Sequence, residues 1–300
     1  MLTLQQLARG FEKVLFRLPG PIRKPVEREW RPLQELFLQH RPARVLIIGE
    51  PGAGVEFWAR TVFQMEPGAI EAGSAPWRAY QHQGALIFAL AESQEAAKTA
   101  LESGPADVFL YMTASELPGY AELRGETPAV LGGAAREVLL AEIAVQLPME
   151  ARLEFARASG DAAAQREIAA HLTRSAAAVC TAIGAQPIPL ADFPILTSLQ
   201  VLMVAGIIHT TGREWSLKLA RDFLAALGAN VGLALILREG VRAATKFLPG
   251  WGNAISGAMA GAGTYAIGRA ATAFFIEGVS IGEARRRFKF LKGRKPRGLK

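Results

Sequence analysis

The apolar run RVLIIG (44–49) leads directly into the glycine-rich turn EPGAG (50–54) and then into a helix-like stretch from Val55 to Met65. A short continuous apolar run closed by glycine reads as a strand buried on both faces. Further apolar runs follow, GALIFALA (84–91), DVFLYMTA (107–114) and the weaker TPAVLGG (127–133), with helix-like segments at 94–102 and 134–147 between and after them. Strands alternating with helices predict a parallel sheet covered by helices. Ahead of them, residues 1–40 read as two amphipathic helices broken at Pro19-Gly20-Pro21, with Trp30, Leu33, Leu36 and Phe37 at helical spacing.

After Pro148 the character changes. Residues 149–282 are rich in alanine and glycine and contain no convincing strand. The expected organisation is therefore N-terminal amphipathic helices (1–40), an α/β domain (41–148), an all-α Gly/Ala-rich domain (149–282) and a basic tail (283–300). Half of the residues are hydrophobic and mean hydropathy is +0.18, which excludes a disordered chain and brings a membrane contact into consideration. A single cysteine, Cys180, excludes a disulfide framework and a multi-cysteine zinc site. The N-terminal MLTLQQLARGFEKV lacks the apolar core and cleavage site of a secretory signal, so the cytoplasmic side is expected.

Charge is unevenly placed. Nine basic residues and no acid lie between Arg285 and Lys300, so removing them from the net +7 leaves residues 1–284 at −2. A globally basic, nucleic-acid-binding surface is not expected. A local electrostatic anchor is, built on Arg285, Arg286, Arg287, Lys289 and Lys292 with Phe288, Phe290 and Leu291 interleaved, a pattern suited to an anionic membrane surface.

A strand, a glycine-rich turn and a helix are the setting of a phosphate loop, G-x-x-x-x-G-K-[ST], whose backbone N–H groups cradle phosphates while its lysine and hydroxyl meet the terminal phosphates and magnesium. Gly49, Gly52 and Gly54 supply the glycine frame, but Val55 stands in place of the lysine and Glu56 in place of the hydroxyl. Losing a charge-assisted lysine contact costs about 1.5–3 kcal/mol, one to two orders of magnitude in affinity. Glu56 adds repulsion, whereas in an empty loop it complements the helix dipole.

RPARVLIIGEPGAG (41–54) resembles the start of an Era-like GTPase domain. AQPIPLADFPILTSLQ (185–200), followed by KFLPGWGNAISGAMAGAGTYAIG (246–268), resembles the YcjF-type domain of unknown function that follows such GTPase domains in some bacterial proteins. The resemblance implies a GTPase-like fold and, in an active member, GTP and magnesium. The remaining motifs are missing. Where D-x-x-G is expected stands Ala91-Glu92-Ser93-Gln94, and none of the four aspartates (Asp107, Asp161, Asp192, Asp222) begins such a motif. Where N-K-x-D is expected stands Gly132-Gly133-Ala134-Ala135, and neither Asn230 nor Asn253 precedes a lysine. Several independent losses point to a pseudo-GTPase with a vestigial phosphate loop, no catalytic residue, no metal site and no cofactor.

The helical half offers no clear membrane span. The stretch 193–212 is uncharged but carries threonine, serine, glutamine and His209; 223–237 is short; 247–268 is mostly glycine and alanine. Two G-x-x-x-G pairs, Gly228/Gly232 and Gly257/Gly261, suit close helix crossings in a membrane or in a tightly packed bundle. His40, His82 and His171 show no metal-ligand spacing, His209 and Cys180 read as core residues, and Asp192 reads as a helix cap. Trp251 reads equally as an interfacial anchor or a core plug.

The expected fold is thus a degenerate P-loop GTPase-like parallel sheet followed by an all-α domain. The expected function is a non-catalytic, membrane-associated scaffold or adaptor on the cytoplasmic side of the inner membrane, peripheral or integral. Its partners would be a protein, such as an active GTPase paralogue, and the anionic membrane surface. The alternatives are an atypical GTPase with a non-standard loop and a soluble helical adaptor.

Overall fold

The computed structural model describes residues 3–49, 77–82, 86–104, 106–111, 128–129, 136–186, 192–228 and 252–290. In chain order the elements are α1 (Leu4–Leu15), α2 (Gly20–Leu38), β1 (Ala43–Ile48), β2 (Trp77–His82), β3 (Leu86–Ala91), α3 (Gln94–Ser103), β4 (Val108–Tyr111), β5 (Pro128–Ala129), α4 (Arg136–Gln146), α5 (Met149–Ser159), α6 (Ala162–Gly184), α7 (Asp192–Thr210), α8 (Leu217–Gly228), α9 (Gly252–Phe275) and α10 (Ile281–Phe290). Among the described residues every regular element from Met149 onward is a helix. The chain divides into two compact units: residues 39–168 form one, and residues 1–38 with 169–300 form the other.

The first unit is built on a five-stranded sheet of order β2-β3-β1-β4-β5. β1 pairs in parallel with β3 and β4, and β5 in parallel with β4. β1 is central, which explains its unbroken apolar sequence: Val45, Leu46, Ile47 and Ile48 are all buried. α3 covers one region of the sheet, where Leu46, Ile48 and Ala91 pack with Ala96, Ala97 and Ala100. β2 corrects the expectation of a wholly parallel sheet. It runs antiparallel to β3, in register from Trp77 opposite Ala91 to His82 opposite Leu86. Only residues 83–85 join the two strands, far fewer than a parallel crossover requires.

An ion-pair clip ties the N-terminal ends of β1 and β4 to α5. Arg41 Nη1 and Nη2 donate to Asp107 Oδ2 and Oδ1 at 2.8 and 2.7 Å, and Arg44 N donates to Asp107 Oδ2 at 2.9 Å. Arg41 Nη2 also lies 3.4 Å from Glu150 Oε1, and Arg41 N donates to Glu150 O at 3.0 Å. The bidentate bond to Asp107 raises the Arg41 guanidinium further above its already high range. α5 packs on β1 and β3 and belongs to this unit. The boundary between the units therefore falls at residues 168/169, within α6, and not near Pro148. Asp161 starts that helix as a buried cap, its Oδ1 accepting from Ala163 N and Ala164 N at 2.8 and 3.0 Å.

The second unit is helical. α1 opens with a capping box between Thr3 and Gln6 and buries Leu4, Ala8, Phe11 and Leu15. It folds back on α2, with Phe11 and Trp30 ring centroids 4.7 Å apart and Gln34 Nε2 donating to Glu12 Oε1 at 2.7 Å. Trp30, Leu33, Leu36 and Phe37 are buried, as their spacing predicts. These helices pack with the C-terminal ones: α1 lies against α7, and the Phe37 ring sits where a Cβ on Gly206 would come within 2.9 Å of it. In α7 every residue from Val201 to Ile208 is buried, so the uncharged stretch weighed as a span is the core of this unit. Phe223 of α8 packs between Phe274 and Phe275 of α9, at centroid distances of 5.6 and 5.0 Å.

The pair Gly257/Gly261 marks the crossing of α9 on α6. A Cβ on Gly257 would lie 2.7 Å from Thr181 O and 2.9 Å from Ala185 Cβ. A Cβ on Gly261 would overlap Thr181 Oγ1 and lie 3.1 Å from Ala177 O, and one on Gly268 would overlap Thr173. The facing stripe on α6 is Thr173, Ala177 and Thr181, one residue per helical turn. Of the other pair, Gly228 ends α8 and Gly232 lies outside the described residues.

Candidate functional site

In an open α/β sheet, ligands bind beyond the carboxyl ends of the strands, where neighbouring crossovers leave in opposite directions. Here that place is the end of β1, flanked by β3 on one side and β4 on the other. Gly49 follows β1 directly, is buried, and prolongs the ladder by donating from its N–H to Ala91 O at 3.0 Å. Gly52, Gly54, Val55 and Glu56 lie outside the described residues, as do the stretch 112–127 and Gly132 to Ala135.

At the end of β3, where a D-x-x-G would stand, the side chains serve helix formation. Ser93 is the N-cap of α3, its Oγ accepting from Ala96 N at 3.1 Å. Glu95 sits in the first helical turn, where a carboxylate complements the helix dipole. Glu92 precedes the cap. Two carboxylates and a hydroxyl engaged in capping thus follow directly on β3, a set whose negative charge disfavours a phosphate at this turn. Among the described residues no group of three or more His, Cys, Asp or Glu is arranged to hold a metal ion.

The second candidate surface is α10. Arg285, Arg286, Arg287 and Lys289 lie on this helix, and Arg286 is exposed; the side chains of the other three, and all of Lys292, lie outside the described residues. Ala284 is buried and anchors the helix to its unit. Among the described residues no helix is long and apolar enough to cross a membrane.

Cys180 is buried on α6, and its thiol is hydrogen-bonded to the Thr264 hydroxyl, which also accepts from Gln200 Nε2 at 3.0 Å. Burial pushes the thiol up to about 12, partly offset by the Thr264 bond. A buried thiol of this kind is a packing residue and a poor nucleophile. Two outcomes follow. Ellman's reagent at pH 8 leaves the native protein unmodified within minutes and titrates one thiol in denaturant. Because the thiol ionises at higher pH in the fold than in the unfolded chain, its contribution to stability is complete below about pH 9 and is lost as pH rises towards 12. Cys180→Ala removes that part of the alkaline loss, read as a flatter slope of unfolding free energy against pH.

Sequence reasoning missed three features here. β2 is absent from it because WRAYQH lacks an apolar run, as an edge strand does. The Arg41–Asp107 clip joins residues far apart in sequence and leaves no local signal. Arg9 and Lys13 are exposed on α1, opposite its buried residues, and this basic face lay hidden in an amphipathic helix whose neighbours were unknown. No protein-family profile matches the sequence, and no curated protein matches it.

Proposed function

We propose that the chain is a non-catalytic, GTPase-like scaffold that holds a protein partner at a membrane surface. The observation that carries this reading is the end of β1. A central strand flanked by parallel strands, closed by Gly49 at the switch point of the sheet, is the framework on which a phosphate loop is built. The sequence that follows has Val55 and Glu56 where phosphate and magnesium chemistry need a lysine and a hydroxyl, and the turn after β3 offers Glu92 and Glu95. The frame suits a nucleotide switch and the side chains oppose one. In this reading the carboxyl edge of the sheet presents loops to a protein, such as an active GTPase paralogue, in place of a nucleotide.

Attachment to the membrane is peripheral in this reading. It rests on the basic helix α10 and its continuation to Lys300, and on the absence of a spanning helix among the described residues.

Calorimetry with GTP and magnesium tests the first part. The expected result is no heat of binding at ligand concentrations around 100 μM, since the missing lysine alone weakens affinity about ten- to hundredfold. A micromolar dissociation constant would reverse the reading in favour of an atypical GTPase.

A further inference from the structure

The exposed face of α1 carries Gln6, Arg9, Gly10, Lys13, Phe16 and Arg17, spaced so that they share one side of the helix opposite the buried Leu4, Ala8, Phe11 and Leu15. Between Arg9 and Lys24 the sequence has five basic residues and one acid, Glu12, which accepts from Gln34 and does not belong to the exposed face. Arg9, Lys13 and Arg17 are in no ion pair among the described residues. The stripe ends at the turn between α1 and α2, where Arg17, Pro19, Gly20 and Pro21 are exposed and the Phe16 ring is 52% exposed. Arg23 lies over that ring, its guanidinium carbon 5.9 Å from the centroid, and is ion-paired to Glu27 at 3.1 Å, so the uncompensated charge at the tip comes from Arg9, Lys13, Arg17 and Lys24.

A lone exposed phenylalanine is ordinary on a protein surface. A phenylalanine at the tip of a helical hairpin, bordered on both helices by cations and by no unpaired acid, is the layout of an interfacial anchor: the ring enters the headgroup layer and the cations meet anionic lipid. We propose that this hairpin tip, Phe16 with Arg9, Lys13, Arg17, Arg23 and Lys24, is a second docking surface for an anionic bilayer. The proposal rests on the membrane-associated reading above and names a face that reading does not contain. Both the hairpin and α10 belong to one compact unit. Reversible anchors hold stably only in pairs, which gives the second surface its role.

Flotation of the full chain with phosphatidylcholine vesicles, with and without one-third phosphatidylglycerol, tests it. The wild type is expected to float with the anionic vesicles only. Arg9→Glu/Lys13→Glu/Arg17→Glu is expected to weaken partitioning at least tenfold, with an unchanged melting temperature because these side chains are exposed. Phe16→Ser, which alters no charge, is expected to weaken it severalfold. If wild type and triple variant float equally while Arg286→Glu/Lys292→Glu abolishes flotation, the hairpin proposal is overturned and the membrane reading stands. If the wild type floats with neither vesicle, both fall. A wild type that stays off anionic vesicles but shifts a DNA duplex in the same buffer overturns the proposal in favour of nucleic acid.

Discussion

Gly261→Leu is expected to lower the stability of the helical unit by about 3 kcal/mol, at the upper end of what overpacking costs. Even a Cβ at this position overlaps Thr181 Oγ1 and crowds Ala177 O, and the second contact is backbone, which cannot rotate away. α9 must therefore lift off α6. That movement would also pull Thr264 from Cys180 and Gln200, since Thr264 lies one turn along the same face. Thermal unfolding followed by circular dichroism should show a fall of roughly 6–12 °C for a unit of this size. The same variant should render Cys180 reactive to thiol reagents. Gly263→Leu is the control: nothing lies within 4 Å of a Cβ there, and its loss should stay within about 1 kcal/mol. Equal melting temperatures for the two variants would show that α9 does not need the close approach.

Asp107→Ala is expected to cost about 2–3 kcal/mol in the sheet unit. Removing one partner from a buried ion pair costs about 3–5 kcal/mol. The figure is reduced here because the Arg41 side chain is 38% exposed and water can take over part of its solvation. The backbone N–H of Arg44 also loses its acceptor. Asp107→Asn keeps an acceptor for that N–H and should cost about half as much. A double-mutant cycle with Arg41→Ala, read by urea unfolding, should give a coupling energy of about 1–2 kcal/mol. A coupling near zero would mean that the clip is held by the chain and contributes nothing of its own.

Local pattern and long-range pairing were unequally legible in the sequence. β1 was readable because a strand buried on both faces is apolar throughout, and β3, β4 and α3 followed from the same alternation of runs. β2 was not, since its alternating polar residues suit an edge and resemble a loop. The Gly257/Gly261 spacing announced a close crossing but not its partner. The matching stripe on α6 is Thr173, Ala177 and Thr181, joined at its end by Gly184, where a Cβ would lie 2.9 Å from Ala260 Cβ, and a single glycine after two threonines and an alanine has no spacing that announces a crossing. Pro148 looked like a boundary because composition changes there, yet α5 is held to the sheet unit by Glu150 and Arg41. Composition reports which elements form, whereas attachment depends on single pairs distant in sequence. At the candidate site Gly49 was legible as the end of a strand, and the missing motifs as missing. The commitment of Ser93 to capping needed coordinates, because an isolated serine fits many roles.

The placement of residues 1–38 with residues 169–300 has a consequence for the order in which the protein is made. The hairpin of α1 and α2 is synthesised well before the surface that buries it, including Gly206 beneath the Phe37 ring. At usual rates of translation that delay is roughly 10–30 s. Throughout it, Leu4, Phe11, Leu33 and Phe37 must wait on a nascent chain with their apolar faces uncovered, while the sheet unit has time to close independently. Until α7 follows, the faces of α1 and α2 that pack on it have no partner.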